Sequence, residues 1–181
     1  MIDFETLDAR GKNAGFTHTG PLDCHTIRLL PEVREMCAAD KCHQYNKNWT
    51  CPPGCGSLEE CEGKVRRYQK GLIVQTVGEL EDNMDGEGMM ETEARHKEAF
   101  LRLMEDLKKD YPDLLAIGAG CCTRCKTLYL PGCTFAVFPN KNGILYGSLT
   151  GMLVSQICKD NSLPYYYGDC TIAYTSCFLL E

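Results

Sequence analysis

The sequence predicts an α/β fold: a small mixed sheet with helices packed on it and cysteine-rich loops. Two compact apolar runs, GLIVQTVG (71–78) and LLAIGAG (114–120), read as strands. The segment between them carries the clearest helical periodicity in the chain, and alternating strand and helix puts helices on a sheet. The tail, YYYG followed by TIAYTSCFLL, is hairpin-like, which makes the sheet mixed. With 181 residues, 44% hydrophobic and 24% charged, the chain can bury a core without covalent staples. No repeat and no linker rich in Pro, Gly or Ser divides it, so one domain over 1–181 is expected.

The elements follow in order. Residues 1–14 read as one short helix with Phe4 and Leu7 apolar. Residues 16–30 alternate loosely and read as one or two strands. Pro31 suits the first turn of a helix over PEVREMC. Residues 39–56 have much punctuation and little periodicity, and read as a structured loop wrapped around something. Ser57 and Glu60 form a capping box that opens a helix over SLEECEGKVRRYQ, weakened by Gly63. After the strand at 71–78, the acidic stretch 79–91 reads as a surface loop or lid. Residues 92–109 are helical, with His96, Phe100, Leu103, Met104 and Leu107 on one face and Pro112 beyond the end. The strand at 114–120 runs into a second cysteine group, a helix is expected over 148–160, and YYYG and TIAYTSCFLL read as short terminal strands.

Charge and hydropathy exclude some partners. The net charge is −6, whereas a phosphate-backbone binder carries a basic face, so no nucleic acid is expected. No apolar run approaches a membrane span. The start, MIDFETLDARGK, shows no apolar core after a basic flank, so a cytoplasmic location is expected. In that reducing compartment, 13 cysteines point to metal binding or redox chemistry rather than a disulfide frame.

Eight of them form two groups. Cys37, Cys42, Cys51 and Cys55 are spaced C-x4-C-x8-C-x3-C, with His43 beside Cys42. Cys121, Cys122, Cys125 and Cys133 contain a C-x2-C and follow the carboxyl end of a strand, where ligands gather in open α/β sheets. Thiolates bind soft or borderline metals, and four close a zinc site or hold an iron–sulfur cluster. Pro52-Pro53-Gly54 stiffens the turn between Cys51 and Cys55, and glycine lets backbone approach closely. The spacing matches neither the paired C-x2-C of zinc knuckles nor the bacterial ferredoxin run. The long intervals suit a larger inorganic core, so a 4Fe-4S cluster is the expected cofactor and zinc the alternative. The bland alternative, that these are buried cysteines packing as small hydrophobes, is the reading for the dispersed Cys24, Cys61, Cys158, Cys170 and Cys177.

The segment 37–56, with Cys37, Cys42, Tyr45, Trp49, Cys51, Pro52 and Pro53, fits a pattern C-x4-C-x2-Y-x3-W-x-C-P-P. Further on come Gly120, Cys122, Cys125, Cys133 and Pro139, then the finish YYYGDCTIAYTSCFLL. On these residues, from about Leu30 onward, the chain resembles the prokaryotic cysteine-rich group of predicted metal-binding proteins, common in anaerobes. The resemblance implies the metal ligands and implies no substrate. Three features depart from it. Leu128 stands where many relatives have a third cysteine, which Cys121 would replace. Thr134 to Phe138 separate Cys133 from its proline, and 148–151 lack an acidic residue.

Other signals are weaker. His96 lies on an apolar face and reads as a satisfied core histidine; His18 and His25 have no partner in sequence, and His43 is either a ligand or solvent-facing. Tyr165, Tyr166 and Tyr167 read as strand packing or a pocket wall. Met84, Met89 and Met90 would suit a soft metal such as copper, but their place in an acidic loop favours chance. GxGxxG, P-loop, GxSxG and HExxH motifs are all missing. Three functions stay open: an iron–sulfur electron-transfer module whose acidic 79–91 docks a redox protein partner, a structural zinc or metal-handling interaction module, and a cluster-dependent enzyme acting on a small molecule.

Overall fold

The structure, a computed structural model, describes residues 2–47, 50–120 and 151–181 and the backbone of 144–145. In chain order its elements are α1 (Phe4–Ala14), β1 (His18–Asp23), α2 (Pro31–Ala38), α3 (Leu58–Val65), β2 (Lys70–Glu79), α4 (Gly86–Leu107), β3 (Leu115–Ile117), β4 (Ile144–Leu145), α5 (Val154–Asp160) and β5 (Thr171–Leu179). The strands form one mixed sheet in the order β1-β2-β5-β3-β4, antiparallel throughout except for the parallel pair β3–β4. The predicted α/β class is what forms.

Alternate residues of the central strands face two different cores, which is why these strands read as unbroken apolar runs. Leu72 and Val74 of β2, Ala116 of β3 and Phe178 of β5 pack with Leu7 of α1 and with Phe100, Leu103, Met104 and Leu107 of α4. Ile73, Leu115, Ile117, Cys177 and Leu179 face the other way, toward Cys61 and Val65 of α3 and Ile157 and Cys158 of α5. Gly78 permits a close approach of α4, since a Cβ there would collide with the Thr92 hydroxyl. Among the described residues no helix is long and apolar enough to cross a membrane.

Local sequence sets the helix ends. Asp3 caps α1 through the amides of Glu5 and Thr6, and Pro31 opens α2. Ser57 and Glu60 make the reciprocal capping box of α3. Asp85 caps α4 by accepting from the Gly88 amide at 2.9 Å.

Several expectations need correction. The stretch 79–91 is no continuous loop: the cap at Asp85 starts α4 at Gly86, so Met89 and Met90 are helical. The helix after Ser57 ends at Val65 rather than near Gln69. YYYG forms no strand; Tyr165 and Tyr166 are exposed, while Tyr167 stacks on His18 at 4.7 Å. The final segment is not a hairpin but the strand β5, inserted between β2 and β3, with its last residues, Cys177 to Leu179, in the two cores. Of the helix expected over 148–160, the described part is Val154–Asp160, and 151–153 are non-helical with Met152 bridging Leu29.

His96 is the satisfied core histidine the sequence predicts. It is fully buried, with Nδ1 2.9 Å from Thr76 Oγ1 of β2 and Nε2 2.7 Å from Ser176 Oγ of β5. Burial, with a smaller contribution from Lys97, pushes its pKa down from 6.5 to about 4. The unfolded chain therefore binds the proton first on acidification. The stabilisation is full above pH 6.5 and is lost as pH falls toward 4, by up to about 3 kcal/mol. Urea unfolding at a series of pH values is expected to show this loss in the wild type and a flatter profile in His96→Gln, which keeps hydrogen-bonding capacity without titrating there.

Candidate metal centre

The first cysteine group lies on the end of α2 and on the loop that joins it to α3. Among the described residues, three non-glycine positions in the loop adopt left-handed backbone, Asp40, His43 and Asn46, all residue types that tolerate it. The loop is closed by its own hydrogen bonds. Asp40 accepts from the His43 amide through its carbonyl at 2.9 Å and from the Tyr45 amide through its side chain at 2.9 Å. The Asn46 amide donates to Pro52 O at 2.7 Å, and the Cys55 amide to Cys51 O at 3.1 Å. The expected structured loop is thus observed.

This folding draws several thiols toward one another. Cys37 is half-buried at the end of α2, Cys42 is exposed, and Cys51 and Cys55 are buried. Burial pushes the Cys37 thiol up, as do the nearby Cys42 and Cys55, while Arg34 pulls it down. Arg34 reaches across from α2: Nη1 donates to Gly56 O at 2.8 Å and Nη2 to Cys61 Sγ at 3.7 Å. His43 sits at a left-handed turn position beside Cys42. Trp49, and the second group Cys121, Cys122, Cys125 and Cys133, lie outside the described residues.

The dispersed cysteines divide into two kinds. Cys24, Cys158 and Cys177 are buried in the core around Ile73, as expected for packing residues, and burial pushes Cys24 up to about 12 and raises Cys158 and Cys177 as well. Such thiols stay protonated and inert. Cys170 departs from the core reading: it is half-buried, in a left-handed turn position before β5. Cys61 is fully buried, but it also touches the first group, donating through Sγ to Cys55 O at 3.5 Å. The Cys55 thiol beside it, then burial, hold Cys61 well above the usual thiol range. The sequence carries a signal for this contact. The capping box puts Cys61 in the first turn of α3, and helical side chains tilt toward the N-terminus, here toward Cys55.

A family model described as predicted metal-binding protein (DUF2284) matches residues 20–180. The chain belongs to that family. Neither the comparison with curated proteins nor that with solved structures found a match. The match agrees with the resemblance carried by 37–56 and by the residues after Gly118.

For this predicted metal-binding protein, the first group suits a thiophilic metal in its chemistry: several sulfurs, one reinforced loop and a nearby guanidinium. As the side chains stand, no three or more His, Cys, Asp or Glu of the described residues form a ligand set. Metal binding there would release the thiol protons.

The loop's outlet depends on Gly56, whose φ of +93° is left-handed and whose Cβ position lies 2.6 Å from Glu60 Oε2. Gly56→Ala is expected to strain the backbone and displace Glu60 from the Ser57 amide, costing about 2 kcal/mol in urea unfolding, with Gly63→Ala neutral or stabilising.

Proposed function

We propose that the chain carries iron–sulfur clusters on its two cysteine groups and exchanges single electrons with a protein partner. The observation that supports this reading is the match to a predicted metal-binding family over the cysteine-bearing loop between α2 and α3, which its own hydrogen bonds close. The long intervals within Cys37, Cys42, Cys51 and Cys55 favour a 4Fe-4S core over a single zinc ion. Cys121, Cys122, Cys125 and Cys133 would hold the second cluster.

The partner part of the reading rests on charge. The acidic stretch 79–91 leads into α4, and Glu93 of α4 lies against Gly120, immediately before the second group. A basic partner steered to this side would come within reach of that group. Some of the acidic side chains are already committed to the chain's own amides: Asp82 accepts from Met84, and Asp85 from Gly88.

One observation favours a second reading, a cluster-dependent enzyme. A cleft of about 180 Å³ opens where β3 ends, with Ile117, Ala119, Gly120, Met152, Tyr165 and Ser176 in its wall. It is large enough for a small substrate, and the second group follows Gly120 directly in sequence. A cluster iron lacking a protein ligand there would support this reading, and electron paramagnetic resonance that changes on adding small ligands would detect it.

The deciding experiment is purification without oxygen, followed by a visible spectrum and metal analysis. Brown protein with broad visible absorbance and several irons per chain is expected. Cys37→Ser and Cys125→Ser should each lose part of that iron. Colourless protein containing zinc would overturn the redox reading in favour of a structural or metal-handling zinc module.

A further inference from the structure

We propose that the cleft at the end of β3 binds a small, neutral, planar heterocycle that carries a hydrogen-bond donor and acceptor side by side, as a cyclic amide does, and that the backbone edge of β5 at Thr175 holds it. The inference rests on the second reading above only in taking the cleft as a ligand site; it names the ligand class and requires no metal.

The register decides which backbone groups face the cleft. In an antiparallel ladder the N–H and C=O of one residue point to the same neighbouring strand, and successive residues alternate between neighbours. The Cys24 amide donates to Gln69 O at 2.9 Å, so the odd-numbered residues of β2 turn to β1 and the even-numbered ones to β5. The Leu80 amide, donating to Cys170 O at 2.8 Å, gives the same parity. Even-numbered residues of β2 lie opposite even-numbered residues of β5. Ala173, Thr175, Cys177 and Leu179 therefore turn their backbone groups to the far edge, where β3 lies. The pairing of β3 covers only Cys177 to Leu179. Among the described residues no strand meets Ala173 or Thr175, and both line the cleft.

The surroundings fix what can replace water on that edge. The hydroxyls nearby are committed: Thr175 Oγ1 accepts from the Gln75 side-chain amide at 3.2 Å, Ser176 Oγ serves His96 and the Ala119 amide, and the Tyr174 hydroxyl donates to Met89 O at 3.1 Å. The wall includes no Asp, Glu, Lys, Arg or His, and Glu93 and Lys97, which lie against Gly120, are paired with each other at 2.6 Å. A charged ligand would give up hydration without meeting a counter-charge, so the occupant is neutral. Met152, Val154 and Ile157 make part of the wall apolar, and Tyr165, half exposed, offers a ring for stacking. The volume of about 180 Å³ compares with the roughly 150 Å³ that holds one benzene ring. Such a space admits a ring rather than a row of side chains, which favours a small molecule over an added peptide strand. A ring with N–H beside C=O meets the C=O and N–H of Thr175 together, leaving neither partner with an unpaired polar group.

The test uses the full chain purified without oxygen. The probe is 2-pyridone, a cyclic amide, and its counterpart is N-methyl-2-pyridone, which lacks the donor; binding is read by saturation-transfer NMR titration. The first is expected to bind and the second to bind roughly 10-fold more weakly. Ala173→Leu, which fills the cleft, is expected to abolish binding. Should that variant fail to fold, Tyr165→Ala, at an exposed position, is expected to weaken it. Absence of 2-pyridone binding, equal binding of the two probes, or binding unchanged by the substitutions would overturn the site. A blocked four-residue peptide of alternating Thr and Val that binds where 2-pyridone does not would overturn the ligand class and make the edge a strand-docking surface. Metal analysis of the same samples separates the two readings. A metal-free wild type that binds 2-pyridone keeps this site and removes the cluster, whereas a metal-bearing wild type that does not bind overturns this site alone.

Discussion

The long antiparallel pairing of β2 with β5, from Gly71 opposite Leu179 to Glu79 opposite Thr171, is the constraint on which the rest of the structure depends. β2 is buried over most of its length and β5 from Ser176 onward, so there the backbone groups pair with each other rather than with water. His96 extends from α4 to bond Thr76 on one strand and Ser176 on the other, a polar tie inside an apolar layer. Its neutrality is part of the arrangement: a charged imidazole with only two hydroxyl partners would be costly there.

That pairing bears on the first cysteine region and on the backbone that precedes the second in sequence. On one face, the core around Ile73 holds α3, and the start of α3 anchors the outlet of the loop that carries Cys51 and Cys55. At the other end, β3 pairs with β5 only as far as Ile117 opposite Cys177. The chain then turns away, with the Ala119 amide donating to Ser176 Oγ at 3.0 Å. The same serine therefore serves His96 and the exit of β3, which couples the buried histidine to the backbone just ahead of Cys121. The divergence of β3 from β5 at this point is what opens the cleft beside Gly120.

What was legible in the sequence was whatever depends on local chemistry. The Ser57–Glu60 box, Pro31 at a helix start, the β-branched run of β2 and the apolar face of α4 each act within a few residues. The position of β5 was not legible, because a short strand with an apolar end looks the same at the end of a hairpin as in the centre of a sheet. The start of α4 was missed because Gly86 and Gly88 weaken helical propensity, whereas the Asp85 cap supplies what they lack. Spacing grouped Cys37, Cys42, Cys51 and Cys55 as candidate ligands. It did not connect Cys61 or Arg34 to them, since the link is made only in the folded chain, where Arg34 reaches Gly56 O and Cys61 Sγ.

The cysteines show how one residue type can serve two purposes in a single chain. A thiol surrounded by aliphatic side chains has its ionisation suppressed and behaves as a small apolar filler, as Cys24 and Cys177 do. A thiol that faces other thiols and a guanidinium is under opposing pressures: neighbouring sulfurs resist its ionisation and the cation favours it, as at Cys37. Such a balance is poorly resolved by protons alone, because each successive thiolate repels the last. A multivalent cation resolves it, since one centre compensates several thiolates at once and the guanidinium takes part of the remaining charge. Cys61 shares the burial of the first kind and the neighbours of the second.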